Sequence, residues 1–200
     1  MSLSVTVSER VLHFKQPAGT SRGVYTERHI WLVKISDGEQ TGVGECAPLP
    51  NLSCDDIPNY SEVLRHFCDE VERTGELDTE ALRDYPSILF GLETALLQVR
   101  CKKEDGGNFL FDTPFSHGEE GIPINGLVWM GSFEEMRQRI EQKLEQGFHC
   151  VKLKIGAIDF EAEIELLKKI RERFGPREIE LRVDANGAFP YEEALYKLEL

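Results

Sequence analysis

Val151-Lys152-Leu153-Lys154-Ile155-Gly156 alternates apolar and cationic residues, and Ile179-Glu180-Leu181-Arg182-Val183-Asp184 alternates again further along the chain. Between them, Asp159 to Phe174 repeats its apolar residues at helical spacing. Two strands joined by a helix through short loops predict parallel pairing with a right-handed crossover. Working outward, Ile122 to Met130 reads as a strand and Ser132 to Gln146 as a helix. Ser132, with Glu135 three residues on, makes a capping box at that helix start. Pro190 to Leu200 opens another helix, with proline suited to its first turn. Three βα units result, whereas a (β/α)8 barrel needs eight, typically within about 250 residues. The expectation is a barrel that is incomplete in this chain.

Upstream the rhythm differs. Ser4 to Phe14 and His29 to Ile35 read as strands, with a loop-like polar stretch from Gln16 to Gly23 between them. Glu39 to Pro48 is a strand running into a proline-rich turn, followed by helices at Tyr60 to Arg73 and Ile88 to Lys102. Strands first and helices after is an α+β pattern. The change of rhythm near Asp112 to Gly121 sets the expected domains at 1–115 and 116–200.

Composition narrows the function classes. The 200 residues carry 36 acidic and 23 basic side chains, a net charge of −13 that argues against nucleic acid or an anionic membrane as partner. No run of transmembrane length and no signal peptide is read, so a cytoplasmic, soluble protein is expected. The five cysteines are odd in number, widely spaced and without a CxxC pair, which fits reduced thiols better than disulfides or zinc.

Three motif matches do not hold. Gly19-Thr20-Ser21-Arg22-Gly23 fits a GxSxG elbow, but Pro17 precedes it and a strand follows where the elbow needs a helix. Gly42-Val43-Gly44-Glu45-Cys46-Ala47 fits GxGxxA, but Pro48 and Pro50 exclude the helix a pyrophosphate would need. These glycines can instead serve close backbone packing. Asp184-Ala185-Asn186-Gly187 starts like a calcium loop, but Phe189 stands where glycine belongs and Leu195 where glutamate belongs.

One constellation remains. Lys152 and Lys154 are two apart on a strand, so both ammonium groups share a face. Alternating lysines usually mark a solvated edge, and Asp184 with Asn186 could be simple turn chemistry. Strands of a parallel sheet are normally apolar on both faces, however, and this strand has a βα unit on each side. Lys154 and Asp184 both sit at the carboxyl ends of their strands, where barrel enzymes do their chemistry. A divalent cation at Asp184 would bind a substrate carboxylate and stabilise the enediolate left when the neighbouring carbon loses a proton.

Lys152-x-Lys154 and Asp184-x-Asn186 on successive strands resemble the enolase superfamily, muconate-lactonizing subgroup, whose sites pair a lysine or histidine base with magnesium. The first half is similar to the α+β capping domain of that superfamily. The implied fold is therefore an α+β capping domain followed by the first three βα units of a (β/α)8 TIM-type barrel. Gly42 to Asp56, Ile124 to Gly131 and Arg182 to Phe189 bring the likeness closest to the o-succinylbenzoate synthase family of menaquinone biosynthesis. That resemblance implies a lyase performing syn elimination of water from 2-succinyl-6-hydroxy-2,4-cyclohexadiene-1-carboxylate, a small-molecule carboxylate. It assigns Lys154 as base and then acid, Lys152 as electrostatic support for the substrate carboxylate that also helps tune Lys154, and Asp184 as a ligand of Mg2+ (or Mn2+). It places Asn186 beside the substrate, with Ser21 and Arg22 as substrate contacts in one capping loop and Leu49 to Ser53 as another specificity-shaping turn. Arg22 is expected to meet the succinyl carboxylate.

The family's other metal ligands and its second lysine lie on later barrel strands. The 200-residue chain is thus expected to be inactive alone, with another chain or a missing segment completing the barrel. Within the superfamily, an N-acylamino acid racemase, a dipeptide epimerase or a cycloisomerase would share the KxK pair. From another class, a non-catalytic partial barrel could bind a partner through its open edge.

Overall fold

Two three-stranded sheets, each covered by helices, organise the chain. The computed structural model describes residues 3–20, 23–105, 111–129, 132–156 and 159–200. These fall into two units, Met1–Pro17 with Tyr25–Gly121 and Ala18–Val24 with Ile122–Leu200. No helix among the described residues is long and apolar enough to cross a membrane.

The first sheet has the order β1 (Ser4–Thr20), β2 (Gly23–Ser36), β3 (Thr41–Cys46). β2 and β3 pair antiparallel, with Val33 opposite Gly44 and Ile35 opposite Gly42. Glu9 meets His29 and His13 meets Glu27, so β1 and β2 also run in opposite directions. The expected loop from Gln16 to Gly23 is corrected here: β1 continues to Thr20 and β2 begins at Gly23. Pairing between neighbouring strands satisfies backbone groups that a small, polar composition alone would have left to a loop. Ser21 and Arg22 lie outside the described residues.

Two helices, α1 (Tyr60–Thr74) and α2 (Pro86–Asp105), cover this sheet. Val33, Ile35 and Cys46 from the strands meet Leu64, Val71, Ile88, Leu92 and Leu96 from the helices in one buried apolar cluster. β3 approaches α2 so closely that a Cβ on Gly44 would lie 1.8 Å from the Gly91 carbonyl oxygen. One on Gly42 would lie 2.0 Å from the Ala95 carbonyl oxygen. The GxG pair is therefore a packing feature of the backbone. Gln98 finishes the seam: its side chain accepts from Val43 N at 3.1 Å and donates to Val43 O at 2.8 Å. The buried Asp55 caps α2 from a distant loop, accepting from Ser87 N at 2.7 Å.

The second unit alternates β4 (Gly126–Val128), α3 (Phe133–Glu145), β5 (Cys150–Lys154), α4 (Phe160–Arg173), β6 (Glu180–Asp184) and α5 (Tyr191–Glu199). Its strands pair in parallel in the order β4-β5-β6. The capping box forms as expected, with Ser132 N donating to Glu135 at 2.8 Å and the Ser132 hydroxyl accepting from Glu135 N. Asp159 caps α4 through Ala162 N. The strand expected from Ile122 to Met130 begins only at Gly126 and runs to Val128, and Met130 lies outside the described residues. Pro123 has no N–H to give a ladder, and Ile122 and Ile124 are exposed. Val128, Val151 and Leu153 point beneath α3 and α4 into a core with Met136, Ile140, Leu166 and Ile170. The opposite face of this sheet carries the polar residues.

Candidate active site

Alternation along β5 decides which side chains face which way. Val151 and Leu153 are buried, while Lys152 and Lys154 between them are half-buried on the other face. The parallel register sets Lys152 beside Arg182 and Lys154 beside Asp184. Two strands with period two and no slip thus bring two ammonium groups and one carboxylate together at one strand end.

Lys152 Nζ and Lys154 Nζ each lie 2.8 Å from Asp184 Oδ2. Lys154 also donates to Asn186 Oδ1 at 2.6 Å. Asp184 Oδ1 accepts from Asn186 N at 3.0 Å, an Asx turn that folds the residue after the strand back over it. Asn186 takes a left-handed φ of 49°, which asparagine tolerates better than most residues. The next turn bond, Ala188 N to Ala185 O at 2.9 Å, fixes the loop. Lys154 is 15% exposed against 34% for Lys152, so its ammonium is the more enclosed of the two. Hydrogen bonds from Lys152, then Lys154, then Asn186 N hold the Asp184 carboxyl well below the ordinary carboxylate range.

The structure therefore brings together four of the six residues singled out from the sequence: Lys152, Lys154, Asp184 and Asn186. Ser21 and Arg22 fall outside the described residues. The turn from Leu49 to Ser53 is built in the first unit, closed by Ser53 N to Leu49 O and by Leu49 N to the Ser53 hydroxyl.

Two further residues border the site. Trp129, just after β4, has its ring centroid 6.0 Å from Lys154 Nζ, within cation–π range. Its alternation with Leu127 could have placed it on this face. Glu163 on α4 is 2% exposed and accepts Gly156 N on both carboxylate oxygens, at 2.8 and 2.9 Å. The signal for it was an acid in the helical stripe otherwise formed by Leu166 and Ile170.

Asp184 is a hard oxygen donor of the kind magnesium prefers. It would supply a single ligand, and among the described residues no three His, Cys, Asp or Glu side chains converge on a metal-sized site. Among the described residues, Asp184 fits one position of a magnesium ligand set.

Comparison with known proteins bears on both units. Residues 19–99 match the family model described as MenC, N-terminal domain, and residues 135–199 the one described as Enolase C-terminal domain-like. An o-succinylbenzoate synthase from Desulfotalea psychrophila is 36% identical, over 100% of this chain and 61% of that protein. The crystal structure of MenC from Desulfotalea psychrophila aligns with TM-score 0.72 and 30% identity, over 100% of this chain and 62% of that one. An L-Ala-D/L-Glu epimerase from Bacillus subtilis is 29% identical, over 87% of this chain and 49% of that protein. An o-succinylbenzoate synthase from Thermosynechococcus elongatus, complexed with Mg in the active site, shares the fold with TM-score 0.68 at 22% identity, over 100% of this chain and 56% of that one. The chain thus spans between 49% and 62% of the length of these relatives.

Proposed function

This chain belongs to the enolase superfamily, and from that premise we propose that it forms the capping domain and first barrel strands of an o-succinylbenzoate synthase. The reaction is removal of the proton next to a substrate carboxylate, followed by syn loss of water from 2-succinyl-6-hydroxy-2,4-cyclohexadiene-1-carboxylate. The product is the aromatic o-succinylbenzoate.

Each residue has a role in this reading. Lys154, entering the step as the neutral amine after giving one proton to solvent, takes the α-proton on Nζ and returns it to the departing hydroxide, so that one group acts as base and then acid. Lys152 adds a fixed positive charge beside the substrate carboxylate. Asn186 orients Lys154 through its amide oxygen and borders the substrate. Ser21 and Arg22 contact the substrate's distal end, Arg22 through the succinyl carboxylate. Asp184 is one ligand of Mg2+ or Mn2+, and such a cation, when bound, offsets the negative charge that develops on the substrate carboxylate.

The observation that carries the reading is the Lys154 ammonium bonded at once to Asp184 and Asn186, at the carboxyl end of parallel strands. Whole-chain likeness at 36% identity supports the synthase over other members of the superfamily. The likeness to the Bacillus subtilis epimerase supports a second reading, epimerisation of a dipeptide by the same lysine.

The test is to supply the intact natural gene product with the cyclohexadiene carboxylate and magnesium, and in parallel with L-Ala-L-Glu in D2O. Magnesium-dependent appearance of the aromatic product is expected. Solvent deuterium entering the dipeptide, with no aromatic product formed, would move the assignment to the epimerase.

A further inference from the structure

Glu163 is a carboxylate where the fold calls for a hydrophobe. It lies on the inward stripe of α4 with Leu166 and Ile170, and is as enclosed as they are. Burying a carboxylate is unfavourable unless hydrogen bonds compensate. Here both oxygens converge on one donor, the Gly156 N–H, two residues beyond Lys154. An apolar side chain would fill the core at least as well, so core packing does not account for the acid.

The contact reaches further than Gly156. That residue has a φ of 88°, and a Cβ placed on it would lie 2.4 Å from the Ala188 Cβ. The backbone after β5 is thus pressed against the turn after β6. That turn carries Asn186 and is closed by Ala188 N to Ala185 O. The intervening Ile155 N donates to Asp184 O at 3.0 Å, tying the two strand ends together.

We infer that Glu163 is a positioning residue: by gripping Gly156 N it fixes the backbone at the end of β5 and the turn after β6, and so holds the Lys154 ammonium between Asp184 and Asn186. The inference rests on the proposed proton transfer at Lys154 and names what keeps that lysine in place. Glu163 acts through the backbone and does not touch substrate.

The test compares Glu163→Leu with Glu163→Gln in the intact natural protein. Glutamine keeps an oxygen that can accept Gly156 N–H, whereas leucine does not. Three quantities are read: kcat and KM for the cyclohexadiene carboxylate, and amide hydrogen exchange at Gly156 and Asn186. Leucine is expected to lower kcat on the order of 10²-fold, the penalty of a small misplacement of a reacting group, with KM changed by less than about threefold. Exchange at Gly156 and Asn186 should rise at least about tenfold, and glutamine should restore most of both effects. Unchanged exchange at Gly156 in the leucine variant would overturn the inference. So would equal losses of kcat in both variants with exchange rising throughout the second unit, the mark of general destabilisation. A wild-type protein inactive on this substrate would count against the synthase reading alone, since the exchange rates judge the grip of Glu163 without any turnover.

Discussion

In the first unit, β3 rests on α2 backbone to backbone, and Gly42 and Gly44 leave no room for side chains between them. In the second, β5 is separated from α3 and α4 by a layer of Val, Leu, Ile and Met side chains. The free faces differ as well. β3 turns Val43 and Glu45 outward, whereas β5 turns Lys152 and Lys154 toward the Asp184 of its neighbour. One sheet is specified by close approach, the other by register. Substitutions should therefore damage the first through geometry and the second through chemistry.

Gly44→Ala should be the most disruptive change for folding. The new methyl would meet the Gly91 carbonyl at 1.8 Å, and a backbone oxygen cannot rotate aside. A loss at the upper end of the about 1–3 kcal/mol seen for overpacking is expected, or more, measured by denaturant unfolding. A loss below about 0.5 kcal/mol would show that β3 and α2 can separate freely.

Gln98→Leu tests the same seam more gently. It removes both hydrogen bonds to Val43 and should lower stability by about 1–2 kcal/mol in denaturant unfolding. A loss below about 0.3 kcal/mol would show that these two bonds do not hold the seam.

The smallest effect concerns acid. Asp184 is held below the usual carboxylate range by its lysines, so its contribution to stability is complete above the unfolded value near 3.9 and is lost as pH falls toward the lower folded value. The stability gap between wild type and Asp184→Asn should stay flat from about pH 7 to pH 5 and shrink only below about pH 4. The side chain is a quarter exposed, so solvent keeps this gap small. A gap that closes between pH 7 and pH 5 would mean that the lysines do not hold the carboxylate.

How much of this was legible in the sequence follows the same division. Period-two alternation placed Lys152, Lys154 and Asp184 on one face, and the parallel register then required no information beyond strand ends. The Ser132–Glu135 box is local and read directly. Other features depend on partners far along the chain. The glycines of β3 were seen, but nothing local shows that Gly91 and Ala95 lie opposite them. Gln98 reads as one more polar residue on α2 until its partner, 55 residues away, is known. Residues 16–20 have loop composition and become strand because β2 lies alongside. Glu163 broke an apolar stripe, yet its role emerged only with Gly156 in place.

In the proposed reaction Lys154 moves the proton. Lys154→Ala in the intact natural protein, assayed with magnesium and the cyclohexadiene carboxylate, tests it most directly. A fall in kcat of about 10³-fold or more is expected, within the range of a lost general acid–base, with the fold retained. A variant that keeps its kcat within about tenfold of wild type would place the base elsewhere and contradict the account.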